Sequence, residues 1–275
     1  MNTYEYSKSE NKGKENKIAM IIRHTDGNIE SFTYSEAFEN ADRYADILVS
    51  CGIDKGDRVA ICAQSCPYWN FAFLAVAKLH ATAVLIDYTL KGDEIRRLID
   101  KGDVKLLFSS QKIMDKVGTL DDIPVLDIFN NASFYNGCEC RKSNKKTTDG
   151  NENVGAIIFS SGTTRTASGI MHSHDSMIGS SVMCMSSNFL KPDIERFFGI
   201  LPNSHIYGLY TQVIAPLCLS GTVYFLESLT PNAMVASFEE FKPTIIPGVP
   251  KVFDLLKDSI MKKITSILAL SATIL

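Results

Sequence analysis

Ten residues from Ser160 to Gly169 carry six hydroxyls, two glycines and one arginine. Hydroxyls and backbone amides donate hydrogen bonds without titrating, and small residues let an anion's oxygens reach the backbone. The chemistry on offer is the cradling of phosphate. An apolar run, Val154–Phe159, leads into the segment, and a helical pattern over Asp175–Ser187 follows it. A flexible surface turn draws on the same residue types, and composition leaves both readings open. A Walker loop requires G-x-x-x-x-G-K-[ST]. Here Gly162 and Gly169 are seven apart, Ile170 stands where the lysine belongs, and the segment has no G-x-G-x-x-G.

Other chemistries have weaker support. His172 and His174 form H-x-H, which needs a strand-like setting and a third ligand before it holds a metal. Cys138 and Cys140 lack a Cys/His partner pair at zinc-site spacing, so no metal site is expected. Seven scattered cysteines, at 51, 62, 66, 138, 140, 184 and 218, read as reduced thiols of a cytoplasmic protein. A net charge of −3 with dispersed basic residues excludes an electrostatic footprint for nucleic acid.

The elements that must position the hydroxyl segment follow an alternating pattern. Thr33 and Glu36 have capping-box spacing ahead of a helical face of Phe38, Ala41, Tyr44, Ala45 and Leu48, which Gly52 stops. Strands are predicted at 58–62, 83–86, 105–110, 124–128, 154–159, 196–201, 222–226 and 244–247. Helices are predicted from Pro67, over 93–99, 175–187 and 207–219, from Thr230–Pro231 to Phe241, and from Pro250. This alternation predicts an α/β fold with mostly parallel sheets covered on both faces. Residues 130–153, rich in Asn and Lys, read as a linker between two α/β subdomains, 18–129 and 154–275. Residues 1–17 are polar without an apolar leader core and are predicted to be disordered. No apolar run is long enough to span a bilayer, the C-terminal "ITSILALSATIL" included. That tail offers a membrane-associated reading, although a short apolar tail more often completes a core helix.

The stretch "IIFSSGTTRTASGIMHSH" resembles the signature loop of the adenylate-forming superfamily, which includes acyl-CoA synthetases. "FTYSEAFENADRYADILVSCGIDKGDRVAI", "PYWNFAFLAVAKLHATAVLIDYTLKGDEIRRLI", "LPNSHIYGLY" and "PTIIPGVPKVFDLL" are similar to further segments of that family, in the same order. The resemblance implies the large N-terminal domain of such an enzyme, ATP with Mg2+, coenzyme A, and a carboxylic acid (most simply a fatty acid). It assigns the ATP phosphates to Ser160, Ser161, Gly162, Thr163, Thr164, Arg165, Thr166, Ser168 and Gly169, with Thr164 also in a catalytic role. It places His205 beside the acid's carboxylate, also as a catalytic residue, and Tyr207, Gly208, Gly248 and Val249 on the acyl-pocket wall. The family carries histidines like His172 and His174 without a metal.

Three loop positions depart from the family pattern: Arg165 replaces a glycine, Ala167 a proline and Ser168 a lysine. Arg165 restores a positive charge at a different place, so weakened nucleotide binding is expected. The family's Thr-Glu pair is absent, and the chain is about half the usual length. The expectation is an incomplete second subdomain with little ligase activity alone. The alternatives are a non-enzymatic nucleotide- or acyl-binding remnant, or half of a ligase completed by a C-terminal chain.

Overall fold

A computed structural model describes residues 1–129, 153–159, 168–186, 190–254, 256–258, 260–261 and 265. Positions 160–167, and with them Ser160, Ser161, Gly162, Thr163, Thr164, Arg165 and Thr166, lie outside the described residues, as do Cys138 and Cys140. The first half of the chain runs α1 (Thr3–Glu10), β1 (Ile18–Arg23), β2 (Ile29–Thr33), α2 (Tyr34–Ser50), β3 (Arg58–Cys62), α3 (Pro67–Lys78), β4 (Thr82–Leu85), α4 (Gly92–Lys101), β5 (Leu106–Ser109), α5 (Gln111–Val117) and β6 (Val125–Asp127). The second runs β7 (Val154–Phe159), β8 (Gly169–Ser173), α6 (His174–Ser186), β9 (Arg196–Gly199), α7 (Ile206–Leu209), a π turn (Tyr210–Ile214), α8 (Ala215–Leu219), β10 (Thr222–Leu226) and α9 (Pro231–Phe241).

Among the described residues the strands form a six-stranded sheet, ordered β6-β5-β3-β4-β7-β8, and a four-stranded sheet, ordered β2-β1-β10-β9. The pairs are parallel apart from β1–β2 and β7–β8. In the six-stranded sheet, side chains alternate between two cores. Val59, Ile61, Ala83, Leu85, Leu106 and Phe108 face the main core with α2 and α3. Ala60, Cys62, Val84, Leu107 and Val125 face a second core closed by Ile95 and Ile99 of α4 and Ile113 and Val117 of α5. A third core joins Phe198, Tyr224 and Leu226 to Met234 and Phe241 of α9. Helix, sheet, helix, sheet and helix therefore stack as layers around continuous apolar seams.

Local sequence explains the central helices. The Thr33 amide donates to Glu36 Oε2 at 2.7 Å and the Glu36 amide to Thr33 Oγ1 at 3.2 Å, so the capping box closes. Gly52, just past the end of α2, adopts φ +77°, which a residue with a Cβ rarely takes. Pro67 opens α3, and Trp69 through Ala77 are buried on every side. The helix lies between the sheets, touching β3 and β4 of one and β1 of the other, so it has no solvent face to keep polar.

Three expectations need correction. First, 130–153 does not divide the sheets. β1 pairs with β10 from beyond it, which puts β2 and β9 at opposite edges of one sheet, and β7 from beyond it pairs with β4. Apolar periodicity marks strands but not their partners, and two parallel pairs, β1–β10 and β4–β7, form across that interval. Second, α1 belongs to the fold. Asn2 and Glu5 form a capping box, Thr3, Tyr4 and Ser7 are buried, and Asn11 Nδ2 donates to the Leu217 carbonyl at 2.7 Å. This helix docks through polar bonds and one ring, a signal that an apolar-period search passes over. Third, the strand at 244–247 shrinks to a single parallel bridge, Phe197 to Ile245. The chain is helical again from Pro250 to 254, as predicted.

Candidate functional site

β4 and β7 run parallel with Leu85 opposite Ile158, so β7 ends at Phe159 level with Ile86. Asp87 is the next residue on the β4 side. The carboxyl end of β7 therefore lies beside Asp87. In the other sheet, β9 and Ile245 are parallel neighbours, so the chain toward His205 and the chain toward Gly248 leave by one end. The two ends are tied together, because His205 Nε2 lies 3.1 Å from Asp87 Oδ2 across 118 residues of sequence. Crevices outside the carboxyl ends of parallel strands are where α/β folds bind ligands.

His205 caps α7 with its backbone, and its side chain is half-exposed. The hydrogen bond to Asp87 raises its pKa above the usual imidazole value, against a smaller opposing effect of burial. Burial pushes the Asp87 carboxyl up, but bonds from His205 and Thr89 outweigh it and leave that group below the ordinary value. The Thr89 amide donates to Asp87 Oδ1 at 2.9 Å, so each carboxylate oxygen has its own partner.

A buried amide cluster holds the turn that presents His205. Gln212, fully buried within the π turn, accepts from the Leu201 amide at 2.7 Å and donates to its carbonyl at 2.6 Å and to Asn203 Oδ1 at 2.6 Å. Asn203 Nδ2 donates to Asn70 Oδ1 at 2.9 Å, and the Asn203 amide donates to Ser65 Oγ at 2.8 Å. π turns inside helices often mark functional segments. Gly208 completes the clamp: a Cβ there would lie 2.0 Å from the Pro202 carbonyl oxygen. Asp87, Asn70, Asn203 and Gln212 were not singled out from the sequence. The only sequence signal was an isolated polar residue in or beside apolar runs.

The remaining predicted residues fall as follows. Ser168 and Gly169 are exposed, and Gly169 opens β8 opposite Phe159. Tyr207 and Val249 are half-exposed, and Gly248 packs against the Phe253 ring, whose nearest atom lies 2.9 Å from where a Cβ would stand. The strand–loop–helix expectation is corrected: β8 returns antiparallel to β7 before α6 begins. The N-terminus of α6 thus lies at the far end of β8, about 14 Å along the strand from Gly169. His172 sits on β8, but His174 turns into the core, where Thr3 Oγ1 lies 2.8 Å from Nδ1. Among the described residues no group of three or more His, Cys, Asp or Glu side chains is placed to hold a metal ion.

The structure is a layered α/β fold in which strand ends of the two sheets meet at the Asp87–His205 contact. The family model described as "AMP-binding enzyme" matches residues 8–272, and the chain belongs to that family. It is 26% identical over 238 residues to 4-coumarate--CoA ligase 3 of Oryza sativa subsp. japonica, covering 81% of this chain and 42% of the rice protein. It is 24% identical over 249 residues to a crotonobetaine/carnitine--CoA ligase of Salmonella agona, covering 85% of this chain and 48% of that one. The chain thus spans less than half the length of these relatives. The fold is similar to O-succinylbenzoate coenzyme A synthetase (MenE) of Bacillus subtilis in complex with AMP, with a TM-score of 0.73 at 20% identity, covering 92% of this chain and 64% of that chain. It is also similar to the N-terminal domain of FACL13 from Mycobacterium tuberculosis, with a TM-score of 0.75 at 22% identity, covering 93% and 65%.

Proposed function

We infer that this chain supplies the phosphate- and acid-binding part of an AMP-forming acid–thiol ligase. The observation that carries the reading is the approach of β7's end, Asp87 and His205, in a chain matched by the AMP-binding family over 8–272. In the reaction a carboxylate oxygen attacks the α-phosphorus of ATP, the bond to the β-phosphate breaks and pyrophosphate leaves. A thiol, that of coenzyme A, then attacks the acyl carbon and releases AMP. Two anions must meet, so fixed donors have to offset their repulsion.

The hydroxyls and amides of Ser160 to Thr164, with Thr166, Ser168 and Gly169, hold the β- and γ-phosphates. Arg165 supplies the nearby charge that Ser168, in place of a lysine, does not. His205 meets the substrate carboxylate. Tyr207, Gly208, Gly248 and Val249 line the acyl side, where half-exposed apolar groups suit a fatty or aromatic acid. One relative's name, a 4-coumarate ligase, favours keeping an aromatic acid among the candidates. The rest of the machinery lies beyond these residues, further along the same polypeptide or on a complementing chain. The free buried thiols Cys62, Cys66 and Cys218 suit a reducing cytoplasmic setting. No helix among the described residues is long and apolar enough to cross a membrane.

Pyrophosphate release from ATP, measured with a panel of fatty and aromatic acids, tests the reading. The 275-residue chain alone is expected to turn over little, and addition of a C-terminal half from a family enzyme to restore it. Robust turnover by the chain alone refutes the need for a second part. A second reading, binding without turnover, is favoured by the replacements at Arg165, Ala167 and Ser168. It requires nucleotide or acyl binding that no added half converts into pyrophosphate release.

A further inference from the structure

The geometry points to Asp87 as the positioning residue for His205: it fixes the imidazole through Nε2 and leaves Nδ1 as the donor to the acid's carboxylate. This deepens the acid-site reading above and rests on it.

Asp87 follows β4 at the carboxyl end of the sheet, and Ile86 is anchored there by its amide to the Ile61 carbonyl at 3.1 Å. The Asp87 side chain is 18% exposed, and its two oxygens are divided between the Thr89 amide and His205 Nε2. His205 is held from the other side by its backbone. Its amide donates to the Pro202 carbonyl at 3.1 Å and its carbonyl accepts from the Leu209 amide at 2.8 Å. Among the described residues, Nδ1 of His205 makes no hydrogen bond, and the side chain is half-exposed.

A bare carboxylate beside a site for anions repels them. That cost is offset when the carboxylate holds an imidazolium whose outer N–H meets the anion, since a protonated ring donates from both nitrogens. Among the described residues, Asp87 is the charged group acting on His205. Around Asp87 itself stand the Tyr88 hydroxyl and the Cys62 thiol, both neutral at pH 7 and both pushed further up by burial, and Lys116, whose Nζ donates to the Tyr88 carbonyl at 3.2 Å. Acid binding should therefore weaken as pH rises through the His205 titration.

The test combines NMR titration of the five histidines with calorimetric binding of octanoate and of 4-coumarate, for the wild type, Asp87→Asn, His205→Gln and the double variant. Asp87→Asn is expected to move the His205 midpoint to lower pH while His24, His80, His172 and His174 hold theirs, which controls for folding. It is also expected to weaken acid binding at pH 7 about tenfold, the loss of one charge-assisted hydrogen bond. In the His205→Gln background, Asp87→Asn should cost nothing further. An unmoved His205 midpoint, or an equal loss on Asp87→Asn with and without His205, overturns the positioning role while the acid-site reading stands. If neither acid binds the wild type but the midpoint still moves, the acid-site reading fails and the placement of His205 by Asp87 survives.

Discussion

At Gly208 the fold leaves no room for a side chain, because the Pro202 carbonyl occupies the space a Cβ would take. Gly208→Ala is expected to destabilise the chain by about 2–3 kcal/mol through forced backbone displacement, read as a lower urea midpoint. Gln212→Leu removes the partners of both backbone groups of Leu201 and of Asn203 Oδ1. Leaving such groups unpaired costs about 1–3 kcal/mol each before relaxation, so a loss near 3 kcal/mol is expected in the same assay. An unchanged midpoint contradicts the clamp. His205 and Gly208 stood out in the sequence because they fall inside a recognisable segment. Asn70, Asn203, Gln212 and Asp87 did not, because a polar residue's value depends on its partner, which lies 133 positions away for Asn70 and 118 for Asp87.

Among the elements, α1 shows most clearly what sequence periodicity misses. It packs on α3, α6 and α8, yet its anchors are the Tyr4 hydroxyl on Asp42 at 2.5 Å, Asn11 on Leu217, and Thr3 on His174. Burial lowers the His174 pKa from 6.5 to about 4. A histidine depressed in the folded state contributes stability that is present above its unfolded pKa. That stability drains away as pH falls from about 6.5 through about 4. The difference of about 2.5 units, at 1.36 kcal/mol each, sets a loss of about 3 kcal/mol. Urea unfolding at pH 7, 5.5 and 4 should show the decline, and His174→Gln should flatten it. A parallel decline in that variant would place the acid sensitivity elsewhere. The helices α2, α3 and α9 were legible from local signals: a capping box and apolar stripe in α2, an N1 proline before a mostly apolar run in α3, and a Thr cap with N1 proline in α9. The short strands β2 and β8 were not, since neither is buried enough to carry an apolar alternation.

For the whole molecule, alternating strands and helices made the α/β class readable, while the pairing of β1 with β10 and β4 with β7 was not. Two sheets that exchange segments across 130–153 should unfold together. Chemical denaturation followed by Trp69 fluorescence, from between the sheets, and by far-ultraviolet circular dichroism is expected to give coincident transitions. Separated transitions would restore the two-subdomain division. The central claim, that the crevice at the carboxyl ends of the sheets holds ATP phosphates, is tested most directly by calorimetry of ATP with Mg2+ on the purified chain and on Thr164→Ala. Binding by the wild type that is lost in Thr164→Ala is the expected result. No binding by folded wild-type protein, or equal binding by the two, would contradict it.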